Sequence, residues 1–297
     1  MSDEQPNTLI GIGLMLIGML IFPFLDVLAK KLGQQGMPVI EIVWARVFLG
    51  ALMCAPLLWF LEGRQALRPK QSLLNGTRGI FILLTTFFFF SAMKFLGVAE
   101  TLSIYFVQPI LVTALAPLLL GERVGWQRWL AVMVGFLGVM IIIRPGLVAF
   151  NLGSVLALLS GFAAAFIIII SRKLAGGNSA LANTFYTSFF AAIISSVIVL
   201  WQWQWPTGQQ WLMMLGMAAI GITANFVIIK AFEFCEASLL APFGYAEMIN
   251  AVTAGWYFFN DFPDLWMFVG VGILVCCALI VSHNERSNTL AEDPARL

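Results

Sequence analysis

Few side chains in this 297-residue sequence could do chemistry, and the sharpest of them is Glu247. It lies about ten residues into a long apolar stretch, where a charge costs ~2.5–3.5 kcal/mol if the surroundings are lipid. A carboxyl group at that depth usually faces a cavity, where it can take a cationic group or a coupling proton. The plainer alternative is a protonated carboxyl hydrogen-bonded between helices. Shifting the sequence by 139 positions brings Gln108 onto Glu247 and Thr86 onto Asn225. Two pairs of polar side chains are thereby expected to meet near one site.

Other candidates surround these. Arg46 lies eight residues inside its apolar run and is placed to pair with a carboxylate or a ligand. Arg78 sits closer to the end of its run, where the expectation is that it snorkels to the interface. Asp26 and Lys30 are spaced i, i+4, which predicts a neutralising pair at a mouth, with Asp26 as the alternative ligand contact. Tyr105 shares a helical face with Thr101, Gln108 and Val112. Glu247 shares one with Leu240, Gly244 and Ala251, with Tyr245 and Asn250 adjacent. Tyr105 and Tyr245 could stack on a flat or cationic ligand. Of Phe87 to Phe90, at most one or two can line a cavity, since four successive residues cover all faces of a helix. Glu122 and Asp261 close their runs and read as capping or gate-side groups.

Several chemistries are excluded by what is missing. The single histidine, His283, stands near the C-terminus, so His-based catalysis and multi-His metal binding have no basis. Cys54, Cys235, Cys276 and Cys277 form no CxxC and lie in or beside apolar runs, where they read as small buried hydrophobes. No GxSxG, HExxH or paired-Asp motif occurs. The expectation is a protein that is not an enzyme and has neither metal nor cofactor. A net charge of +1 gives nucleic acid no basic patch to bind.

The elements that must position these residues follow from composition. Hydrophobic residues make up 61% and charged residues 10%, with mean hydropathy +0.93. Soluble proteins carry ~25% charged residues, so lipid must be the solvent for most of this chain. Apolar runs near 9–32, 39–62, 73–95, 98–120, 127–146, 152–174, 181–203, 211–233, 238–259 and 265–283 predict ten transmembrane helices. Interfacial tryptophans flank the turn at 201–208, with Trp211 just beyond it. With the N-terminus placed in the cytoplasm, ten Lys and Arg fall on the cytoplasmic side and four (Lys30, Lys31, Lys94, Arg144) opposite. Both termini are therefore expected in the cytoplasm.

The 139-residue shift also brings Gly121-Glu122 onto Asn260-Asp261, and a shift of 142 brings Lys30-Lys31-Leu32 onto Arg172-Lys173-Leu174. Five spans per half is an odd number, so the second half enters from the opposite side. The predicted fold is an all-α membrane protein built from two inverted five-helix repeats, 9–146 and 152–283, followed by a short tail, 284–297. Inverted repeats suit alternating access to a site near the midplane.

The ordered set of motifs also resembles a known family. Phe106-Val-Gln-Pro109, Leu118-Leu-Leu-Gly-Glu-Arg123 and Gly135-Phe-Leu-Gly138, running on to Arg144-Pro145, are similar to the EamA family of the drug/metabolite transporter superfamily. In the second half, Glu236-Ala-Ser-Leu-Leu-Ala-Pro-Phe-Gly-Tyr245 and Phe259-Asn-Asp-Phe-Pro263 stand at the corresponding places, and Arg46 and Arg78-Gly79 resemble recurring family positions. Asn260-Asp261 departs from the more usual Gly-Glu but keeps the carboxylate. The resemblance implies ten helices in two repeats, a central cavity and transport without ATP hydrolysis. It also implies substrates among amino acids, amines, flavins or S-adenosylmethionine-like compounds.

The expectation is thus a multi-pass transporter of a bacterial inner membrane, secondary active or facilitative, whose partners are a small metabolite and the bilayer. The alternative is a scaffold or sensor that binds a metabolite without moving it. Gly135, Gly138, Gly270 and Gly272 allow close helix approach, for internal packing first and for a homodimer seam second.

Overall fold

The computed structural model describes residues 4–63, 71–121, 126–144, 151–174, 177, 179–234 and 240–292. Glu122, Cys235 and the last five residues lie outside them, as does the side chain of His283. All regular structure in the described residues is helical. Helices α1 (Glu4–Gln34), α2 (Val39–Glu62), α3 (Ser72–Ala92), α4 (Val98–Tyr105), α5 (Gln108–Leu120) and α6 (Trp126–Ile143) make up the first half. The second half has α7 (Leu152–Leu174), α8 (Ala180–Val199), α9 (Gly208–Phe234), a 3-10 turn (Ala241–Tyr245), α10 (Ala246–Phe259) and α11 (Leu265–Glu292).

Among the described residues, seven stretches are long and apolar enough to cross a bilayer, the α4–α5 unit among them. Shorter apolar stretches occupy 132–143 and 265–277. Large apolar side chains such as Phe60, Leu73 and Leu118 are more than four-fifths exposed, which only a lipid solvent makes favourable.

Two of the ten expected spans are not continuous helices. The run 98–120 breaks at Phe106-Val107, because Pro109 has no N–H to donate to the carbonyl of Tyr105. Gly161 on α7 lets that carbonyl come close, since a Cβ there would lie 2.9 Å from the Tyr105 oxygen. The run 238–259 contains a 3-10 turn with Pro242 in its first residues, and α10 starts only at Ala246. Both breaks fall at the polar residues singled out above. Gln108 opens α5, and Glu247 stands in the first turn of α10. The last helix also runs on past residue 283 to Glu292.

The closest packing joins α1 to α9, α3 to α7, α2 to α8 and α6 to α11. Exchanging units five apart turns the first pair into the second and leaves the other two unchanged. Between α6 and α11, Gly138 and Gly270 face each other, and a Cβ at Gly270 would lie 2.7 Å from the Gly138 oxygen. The largest buried cluster includes Leu25, Leu32, Ile42, Leu102 and Met214. It occupies the end of the bundle where α1 finishes and α2 begins.

Candidate functional site

A cavity of about 550 Å3 occupies the middle of the bundle. On α1 its lining runs from Met15 to Asp26, and on α2 from Arg46 to Leu57. On α3, lining residues extend from Arg78 to Phe89; on α9 they reach Phe232. These four helices thus contribute from their middles toward the end that holds the start of α1. The same end holds the α2–α3 and α7–α8 connections, where the Ser179 hydroxyl donates to Glu62 Oε2 at 2.6 Å.

Seven of the nine residues expected at a site border this cavity: Asp26, Arg46, Thr86, Tyr105, Gln108, Asn225 and Glu247. They come from α1, α2, α3, the α4–α5 break, α9 and α10. Arg46 is the hub. Its Nη1 donates to Thr86 Oγ1 at 3.4 Å, and its guanidinium lies 5.7 Å from the centre of the Phe90 ring. It is within electrostatic reach of Asp26, Tyr105 and Glu247. Asp26 is 4% exposed. One cation therefore faces two carboxyl groups in a largely apolar chamber, where charges interact strongly. The Asn225 amide donates to Gly221 O at 2.7 Å, a bond within its own helix turn.

Tyr245 and Asn250 do not line the cavity. Tyr245 packs on Phe106 with ring centres 5.1 Å apart, so the two helix breaks meet through their aromatic residues. The Asn250 amide donates to the carbonyl of Leu20, tying α10 to α1. Of the phenylalanine run, Phe89 borders the cavity.

The expected Asp26–Lys30 pair does not form. Lys30 Nζ instead lies 2.5 Å from Asp261 Oδ2 and donates to Leu96 O at 3.3 Å. The i, i+4 spacing made a local pair available, but α1 presents Asp26 to α2 and Lys30 to the loop after α10. Lys30 and Lys31 also sit over Phe259 and Phe258, at 4.7 and 4.4 Å from the ring centres. Arg144 pairs with Asp264 nearby. These contacts shut the end away from the cavity mouth. There too, Trp44 donates to Ser196 Oγ at 2.8 Å, and the fully buried Glu41 accepts from Gln204 N at 3.2 Å.

Arg78 departs from its expected role. It borders the cavity rather than reaching for the interface. Its Nη1 donates to Thr187 Oγ1 at 3.1 Å and to Asn183 O at 3.4 Å. Thr187 and Ser188, both lining residues on α8, carried no sequence signal beyond being polar in an apolar run.

The sequence matches the EamA-like transporter family twice, over residues 9–144 and 151–283. The chain belongs to that family. Among its relatives, the S-adenosylmethionine uptake transporter of Rickettsia felis is 25% identical over 96% of this chain and 97% of its own. The riboflavin transporter of Vibrio cholerae is 27% identical over 87% of this chain and 88% of its own. The pseudopaline exporter of Pseudomonas aeruginosa is 22% identical over 93% and 97%. One solved crystal structure superposes with a TM-score of 0.62 at 18% identity, covering 96% of this chain and 99% of the other, which establishes a shared fold. Like its bacterial relatives in the family, this EamA-like chain is a multi-pass transporter of the inner membrane.

Proposed function

We propose that this EamA-like protein moves a small organic metabolite by alternating access, without ATP hydrolysis or other enzymatic chemistry. The observation that carries the reading is the convergence of Asp26, Arg46 and Glu247 from three helices on one cavity in the apolar interior. Buried charges of this kind are costly unless they serve a ligand or ion path. Glu247 takes the cationic part of the substrate or a coupling proton. Tyr105, Gln108, Thr86 and Asn225 complete the wall.

The two halves, 9–146 and 152–283, act as inverted repeats with both termini in the cytoplasm. The paired family matches and the exchange symmetry of the helix packing support this, as does the excess of Lys and Arg on the assigned cytoplasmic side. On that assignment the cavity faces inward, and the Lys30–Asp261 pair bars the outer side. The relatives' names span S-adenosylmethionine, riboflavin and pseudopaline, in both uptake and export. Substrates of that chemical range fit a cavity of about 550 Å3.

The test is counterflow in proteoliposomes with labelled S-adenosylmethionine and riboflavin, comparing the wild type with Glu247→Gln. We expect one of the two to exchange, and the variant to lose at least tenfold in rate, equivalent to ~1.4 kcal/mol. Full activity of the variant, or binding without counterflow, would overturn the reading; the second outcome identifies a sensor.

A further inference from the structure

We propose that Arg78 is the anchor for a carboxylate on the substrate, and that the transported metabolite is therefore a zwitterion with its acid group on the mouth side of its cationic group. The inference rests on the transport reading above and adds the substrate's second charge.

Arg78 differs from Lys30, Arg144 and Arg46 in what faces it. Lys30 has Asp261, and Arg144 has Asp264. Arg46 lies in the field of Asp26 and Glu247. Among the described residues no carboxylate pairs with Arg78, whose protein partners are one hydroxyl and one backbone carbonyl. Both use Nη1, and the buried Nε–H has no acceptor. A partly buried guanidinium whose Nε–H lacks an acceptor is under-compensated, and an anionic ligand group meets that need. The side-on edge of a guanidinium matches the two oxygens of a carboxylate. The Nη1 bonds to Thr187 and Asn183 hold the plane from behind, which limits what the ligand must order on binding.

The geometry also separates the two charges. Arg78 and Thr86 lie eight residues apart on α3, so their Cα atoms are ~12 Å apart along the axis. Arg46 bonds to Thr86, so the Asp26–Arg46–Glu247 group occupies the deeper level. With both carboxyl groups ionised and Arg46 offsetting one of them, the deep level takes one positive charge, a proton or a cationic ligand group. The shallow level then takes one negative charge. A monocation lacking an acid group would leave Arg78 unpaired, and a plain acid would leave the deep carboxyl group to a proton.

Matched ligands that differ by one carboxylate test this directly. The probes are lysine against cadaverine, arginine against agmatine, and S-adenosylmethionine against its decarboxylated form. Melting temperature of the purified protein is read in detergent for the wild type, Arg78→Gln and Arg78→Lys. In at least one pair the acid form is expected to stabilise the wild type several degrees more than its amine. Arg78→Gln should close that gap, and Arg78→Lys should keep part of it, since Lys retains the charge without the two-pronged edge. The proposal is overturned if the members of every pair act alike on the wild type, or if the gap persists in Arg78→Gln. Glu247→Gln separates the two readings, because it should abolish stabilisation by the amines themselves. If amine stabilisation survives that change, the deep-site reading fails, while Arg78 is still judged by the gap between acid and amine.

Discussion

The two ends of this bundle are built from the same kinds of helices, yet one is sealed and the other hollow. At the sealed end, α1, α2, α4 and α9 share one continuous buried cluster. Three further layers close over it: the Lys30–Asp261 pair, the Trp44–Trp203 edge contact at 5.2 Å, and the Glu41 bond to the α8–α9 connection. At the hollow end the buried residues fall into separate small groups. Cys54, Leu58 and Tyr186 form one, and Met15, Ala231 and Leu240 another, with the cavity between them. The difference teaches that closure here is polar and aromatic bonding laid over an apolar core. Partly exposed polar contacts of this kind are each worth little, so they can be broken and remade at modest cost.

Four substitutions test this contrast. Arg46→Ala, at the level where the two ends meet, should have the largest effect. It leaves the buried Asp26 and Glu247 without the cation in whose field they lie. We expect a large fall in melting temperature and no recovery of transport. Retention of the wild-type melting temperature would show that Arg46 does not hold the two carboxyl groups together.

Glu41→Ala should cost less, about 0.5–1.5 kcal/mol, the net worth of one hydrogen bond to the exposed Gln204. Amide hydrogen exchange at 201–207 should rise while exchange in α8 and α9 stays slow. Unchanged exchange at this turn would mean that Glu41 is not what holds the outer cap.

Asp261→Asn should shift conformational balance rather than stability. The Asp261 side chain is 37% exposed, so the pair contributes only ~1 kcal/mol, or roughly fivefold in population. The readout is Cys54, a buried lining residue at the hollow end. With Cys235, Cys276 and Cys277 replaced by Ala, labelling of Cys54 by a polar maleimide should slow as the weakened latch lets that end close. Faster labelling would reverse the assignment of which end the latch controls. The smallest effect belongs to Arg144→Gln. That pair is solvent-exposed and worth 0–1 kcal/mol, so labelling of Cys54 should change less than twofold.

Much of this was legible from residue types alone. The spans were readable because 20-residue apolar runs have one physical explanation in a chain so poor in charge. Glu247 and Gln108 stood out because polar groups at such depth are costly, and both open helices at the breaks. The prolines that make those breaks were visible, but a transmembrane helix can absorb a proline, so the letter did not decide between a kink and an interruption. Arg78 was misread because depth along a run says nothing about direction around the helix. Near a span end, snorkelling and cavity-lining look the same in sequence. The Asp26–Lys30 pair failed for a related reason: local spacing shows which partners are available, not which distant ones compete.

By itself, then, the sequence determined the solvent, the number of helical units and the few ionisable groups stranded in the interior, since all three follow from transfer free energies of individual side chains. Tertiary structure alone decided the pairing of those groups. Lys30 reaches across 231 positions to Asp261, Arg46 lies in the field of two carboxyl groups from other helices, and Arg78 is left with none among the described residues. Those outcomes depend on how helices rotate and dock. Docking in lipid is set by packing and small-residue contacts such as Gly138 against Gly270, which carry no charge and so leave little trace in composition.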